Sequence, residues 1–76
     1  MHLWPLDEVE EYNLEYEVPQ AAPGFIGFGS NGGGELLTFD QEGHIYCLPA
    51  IGMEPQYATR VADSWEEFER YIEHAT

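Results

Sequence analysis

Residues Pro23 to Pro49, PGFIGFGSNGGGELLTFDQEGHIYCLP, decide how this chain folds. Apolar segments alternate there with turn residues, and seven of the chain's eight glycines and its one cysteine fall inside the stretch. Phe25-Ile26-Gly27-Phe28-Gly29 reads as a short strand in which glycine marks a bulge or a closely approaching backbone. Ser30-Asn31-Gly32-Gly33 is a turn cluster, since Asn-Gly supplies the positive φ angles of tight hairpins. Glu35 to Asp40 forms a second strand, Gln41-Glu42-Gly43 another turn, and His44 to Leu48 a third strand ended by Pro49. Short strands separated by a few turn residues predict an antiparallel meander over 25–29, 35–40 and 44–48. In the third strand Ile45 and Cys47 share one face while His44, Tyr46 and Leu48 share the other. Both faces are rather apolar, so helices are expected over part of at least one.

The same stretch matches the letters of a dinucleotide-binding motif, Gly27-x-Gly29-x-x-Gly32. That motif works only when a helix follows, because the helix N-terminus holds the pyrophosphate. Here the glycines lead into Glu35–Asp40, which reads as a strand, and no lysine exists to serve a P-loop. Hairpin geometry is the better explanation of these glycines.

Outward on the N-terminal side, Val18-Pro19-Gln20-Ala21-Ala22-Pro23 reads as an irregular connector, because its two prolines break regular elements. Before it, residues 7–16 (DEVEEYNLEY) read as a helix. Acids fill its first turn, where the macrodipole favours them, and Val9, Tyr12 and Tyr16 recur at helical spacing. Leu3-Trp4-Pro5 reads at most as the end of an edge strand. Outward on the C-terminal side, Ala50 to Tyr57 is loop. Ser64 followed three residues later by Glu67 is a capping box, each side chain satisfying an orphan backbone N–H of the other. Trp65, Phe68, Ile72 and Ala75 then form one apolar stripe, giving a helix over 65–74. The class is therefore α+β, a meander of about three strands flanked by an N-terminal and a C-terminal helix.

At 76 residues the chain is expected to form one domain over 1–76 with a thin core. Fifteen Asp and Glu oppose two Arg and no Lys, a net charge of −13. Such a surface repels nucleic acid and anionic membrane, which are held by basic side chains. It attracts basic partners, and it also simply keeps a small domain soluble; both readings stay open. The acidic N-terminus MHLWPLDEVEE is unlike a signal peptide, and one cysteine forms no internal disulfide, so cytoplasm is the default location.

No constellation for chemistry emerges. His2, His44 and His74 lack the spacing of a zinc site, no calcium loop is written in the chain, and no cofactor is implied. Cys47, between Tyr46 and Leu48, reads as a small core residue rather than a nucleophile. Carboxylate pairs are so numerous that chance produces them. Glu8, Glu11, Glu15 and Glu17, with Glu10, cluster on the first helix and its end. They are either a solvated face or, together with Tyr12, part of a docking surface for a basic protein.

The order of motifs resembles the SUKH superfamily, the group named from the fungal Smi/Knr cell-wall regulators. The segments EYN, YEV, APGF, FGSNGGGE and LLTFD run from Tyr12 to Asp40. Ile45-Tyr46, Leu48-Pro49-Ala50-Ile51-Gly52 and Ala62-Asp63-Ser64-Trp65-Glu66-Glu67-Phe68 are similar to that family's ending, a strand, an "iPfig"-like turn and an "AdSFeeFl"-like helix start. Relative to the family the chain reads as N-terminally short or truncated, without further N-terminal helices and an early strand carrying an LP-type motif. Dimerisation is another way to bury what a missing layer would expose, so a homodimer stays open. The resemblance implies an antiparallel sheet flanked by helices and a non-catalytic binding role. Bacterial members are similar to immunity proteins that neutralise polymorphic toxins, often nucleases; fungal members resemble scaffolds in cell-wall signalling.

Overall fold

The computed structural model describes residues 1–75, with side chains through Ile72. The chain runs β1 (His2–Leu3), α1 (Val9–Glu15), α2 (Val18–Ala21), β2 (Ile26–Ser30), β3 (Glu35–Phe39), β4 (Ile45–Pro49), β5 (Thr59–Ala62) and α3 (Trp65–Ala75). All five strands form one antiparallel sheet in sequence order, β1-β2-β3-β4-β5. The expected α+β class holds, but the sheet has five strands rather than three. β1 spans only two residues, too few for alternation to show. In β5, Thr59 and Arg60 are exposed and only Val61 and Ala62 turn inward.

The sheet is a wall between two cores. On one face Leu36 and Leu48, paired across β3 and β4, meet Trp4, Val18, Ala22 and Met53 beneath α1 and α2. On the other, Leu37, Cys47 and Ile45 meet Phe28, Ala62 and Phe68 beneath α3. The alternation expected of β4, with Cys47 on one side and Leu48 on the other, is therefore realised, and helices cover both faces.

Two of the glycines in the opening stretch do different jobs. The register of β2 against β3 slips between Gly27 and Gly29, so Phe28 is a bulged residue. Phe28 packs edge-on against Phe68, with ring centroids 5.4 Å apart. A β-carbon on Gly29 would lie 2.5 Å from the His2 carbonyl oxygen, so only glycine lets β1 approach. The Asn31–Gly34 loop is longer than a two-residue Asn-Gly turn. Asn31 Oδ1 accepts the Gly33 N–H at 2.8 Å and the Glu35 N–H at 3.2 Å, while Gly32 and Gly34 take the positive φ. The loop opens β3, so the helix start that a pyrophosphate needs is not there.

The N-terminal helix is shorter than 7–16. A 3-10 turn over Leu6–Glu8 precedes α1, and the helix ends at Glu15 with Tyr16 as its cap. The 18–23 connector is not wholly irregular either. Pro19 occupies the first turn of α2, where its missing N–H costs nothing, so one proline starts this element instead of forbidding it. At the other end, Ser64 Oγ accepts the Glu67 N–H at 3.1 Å, as the capping box requires. The return bond goes to Asp63 N–H rather than Ser64 N–H, at 3.4 Å, so the box is only half closed. Phe68 and Ile72 of the expected stripe face the core beside Cys47. The side chain of Ala75, also assigned to that stripe, and that of His74 lie outside the described residues.

Asn13 ties the layers together. β1 covers the edge of β2 at Ser30 and Gly29, and Trp4 N–H continues the pairing to the Phe28 carbonyl at 2.9 Å. There the pairing strand leaves. Asn13, buried on α1, then supplies a carboxamide that mimics a strand: Gly27 N–H donates to its Oδ1 at 2.7 Å, and its Nδ2 donates to the Gly27 carbonyl at 2.9 Å. Nδ2 also donates to the Val9 carbonyl at 2.7 Å. Removing one partner of a buried backbone group costs about 1–3 kcal/mol per stranded group. Asn13→Ala strands two such groups at Gly27 and is expected to lower unfolding free energy by about 2–4 kcal/mol in urea titration. Asn13→Asp keeps the size but turns the donor into an acceptor facing two carbonyls, and is expected to be at least as damaging at neutral pH.

Candidate functional site

The acidic cluster is carried by α1 and the chain around it. One face of α1 is used internally: Val9 and Tyr12 pack on the core, and Asn13 is buried. Tyr12 lies against Trp4 with ring centroids 4.9 Å apart, and Tyr16 stacks on the same indole at 5.9 Å and 2° between planes. Tyr12 is therefore a half-buried packing residue in this fold, while Tyr16 is the more exposed of the two rings.

The opposite face is acidic. Glu10, Glu11, Glu15 and Glu17 are exposed, and Glu8, at the N-cap of α1, is half-buried. Glu8, Glu11 and Glu15 recur at i, i+3 and i+7, so they lie on one stripe. Leu14 stands among these acids, 60% exposed. Two placements run against local stability. No basic residue occupies the last turn of α1, and Glu15 sits there, at the negative end of the helix dipole. Glu17 follows with φ +58, the only non-glycine residue in the left-handed region among the described residues. Glycine normally fills that position after a helix, and a side chain there costs about 1 kcal/mol or more.

The groups considered for chemistry are placed otherwise. Cys47 is buried at the α3 face, and burial, with the nearby Glu35 carboxylate, pushes its thiol above the ordinary value. The thiolate that a nucleophile needs is thus disfavoured, and the core reading of Cys47 fits its position. His44, immediately before β4, meets Asp40 across the turn, Nδ1 to Oδ2 at 3.0 Å. Asp40 Oδ1 also accepts the N–H groups of Glu42 at 2.9 Å and His44 at 2.8 Å. This is turn capping, in which a short acid side chain replaces backbone partners. Among the described residues no three His, Cys, Asp or Glu side chains converge as metal ligands, and no helix is long and apolar enough to cross a membrane.

Asp40 supplies a measurable pH dependence. Burial acts to raise its carboxyl pKa but is outweighed by the His44 and Glu42 N–H groups and the His44 ring, so the group lies below its ordinary value. A depressed carboxyl stabilises the fold fully above its unfolded pKa of about 3.9, and that contribution is lost as pH falls through the folded value. Stability measured from neutral pH into acid is expected to fall less steeply below about pH 4 in Asp40→Asn than in the parent chain. NMR titration of Asp40 should give a midpoint below that of a free aspartate.

Compared with known proteins, residues 1–70 match the family model described as SMI1 / KNR4 family (SUKH-1). No curated protein matches the chain.

Proposed function

The chain belongs to the SMI1 / KNR4 (SUKH-1) family, and from that membership we propose that it is a non-catalytic binding protein of the immunity type. Its partner is a basic toxin domain, and the docking surface is the acidic face of α1 with Glu8, Glu11, Tyr12, Glu15 and Glu17. The exposed carboxylates around the end of α1 carry this reading. A face selected for solubility alone has no reason to keep glutamate at a helix's negative end or at a left-handed position, since lysine at 15 and glycine at 17 would be more stable. Many nuclease toxins present a cationic nucleic-acid groove, and a carboxylate-rich face matches it in sign. Tyr12 contributes from beneath, by holding α1 on Trp4, more than by direct contact.

Affinity capture from the native host, followed by reconstitution with the captured protein, tests the proposal. The retained protein is expected to be basic and toxic by itself, and to lose toxicity when mixed with this chain. The association rate should fall about tenfold or more from low to high salt. Glu17→Gly should raise stability by about 1 kcal/mol while weakening capture. A basic partner that is not a toxin would support the alternative of a regulatory scaffold, and salt-independent association would remove the electrostatic reading.

A further inference from the structure

Along the β1 edge the two helical layers leave an open apolar groove of about 350 Å³, lined by Leu3, Trp4, Leu6, Phe28, Phe39 and Trp65. Leu6 is 94% exposed, and Leu3 and Trp65 remain 44% and 42% exposed. The backbone holds them there. Pro5, at φ −58, leads into the 3-10 turn, and Glu8 N–H closes that turn on the Pro5 carbonyl at 2.9 Å, presenting Leu6 outward. The far wall is a set of aromatic rings in mutual contact: Trp65 lies 5.5 Å from Phe28, 5.9 Å from Phe39 and 5.3 Å from Phe68, between centroids.

Acids neighbour both walls along the chain. Asp7 and Glu8 follow Leu6 in the same turn, and Glu69 lies one helical turn beyond Trp65 on α3. The chain's two cations are placed elsewhere. Arg60 is paired with Asp63 at 2.7 Å, and Arg70 is about 140° round α3 from Trp65.

We propose that this groove is a docking site for a partner protein segment that presents one or two large apolar side chains flanked by Arg or Lys. The apolar side chains fill a preformed aromatic cleft, which is where binding energy concentrates, and the flanking cations meet Asp7, Glu8 and Glu69. Charge argues against a second copy as the occupant, because each copy carries −13 and would bring like charge to the groove rim. The inference deepens the proposed function by adding a second contact face, and rests on that reading only for the partner's basic character.

The test uses the isotope-labelled full chain and a short amidated peptide with Leu-Phe between two Lys-Arg pairs. Titration is expected to shift the Leu6 amide and the Trp65 indole N–H. Analogues with Ser-Ser for Leu-Phe, or with Glu for every Lys and Arg, should each bind about tenfold more weakly or worse. Leu6→Arg, at a site exposed enough to leave folding intact, should weaken the parent peptide by a similar factor. The groove is overturned if millimolar peptide shifts neither signal, if it perturbs only the Glu11 and Glu15 region, or if the Ser-Ser analogue binds equally well. Sedimentation showing a dimer that Leu6→Arg dissolves would also overturn it, by giving the groove to a second copy. A toxin that binds through α1 alone would remove the groove and leave the proposed function standing. Peptide binding in the groove with no toxin partner found would do the reverse.

Discussion

The carboxamide of Asn13 stands where the backbone of β1 would have continued beside Gly27, and much of the molecule depends on that substitution. A strand edge must be paired, covered or charged, or it recruits other chains. β1 pairs only briefly before the chain turns away at Pro5, leaving Gly27 to be satisfied from a helix. The consequence reaches both layers. Gly27 has no β-carbon to hold off the Trp4 ring, whose nearest atoms would lie 3.1 Å from one. Trp4 therefore comes close to the strand at Gly27, and Tyr12 and Tyr16 close over it. With the inner face of α1 committed to these contacts, its carboxylates have only the outward face left.

What could be read from the amino acids alone followed the range of the interactions. β2, β3 and β4 are signalled by neighbouring residues, turn chemistry at each end and apolar residues between, and the structure shifts their limits by only a residue or so. α3 announces itself through Ser64 and the Phe68–Ile72 stripe for the same reason. β1 and β5 have no such local signal. His2 and Leu3 are a strand only because Gly29 admits them, and β5 exists because β4 offers an edge to Thr59–Ala62. In α2, proline pointed the wrong way because its effect depends on position: it breaks a helix interior and suits a first turn.

The proposed surfaces divide along the same line. The abundance of acid on the first helix is a matter of composition and periodicity, so it was legible. That Tyr12 turns inward was half legible, since its spacing with Val9 and Tyr16 marks a packing face. The conformation of Glu17 was not, because a left-handed residue is imposed by the short step from α1 to α2. The groove was least accessible of all. Leu3, Leu6, Phe28, Phe39 and Trp65 come from four separated parts of the sequence, and nothing near any one of them announces the others.

The strictly sequential order of the five strands also bears on how the chain reaches this state. Every strand pairs with its neighbour in sequence, and β2, β3 and β4 close on one another across short turns, whereas β1 reaches β2 only after α1 and α2 have intervened. For β2 to β4, loop-closure entropy is met in small steps, the circumstance that favours fast folding. The contacts that must span longer gaps are those of β1 with β2, of Asn13 with Gly27 and of α3 with the bulged Phe28. Docking of β1 and of the two helical layers on the already paired β2–β4 strands would then be the last event, and the first to be undone when the domain opens.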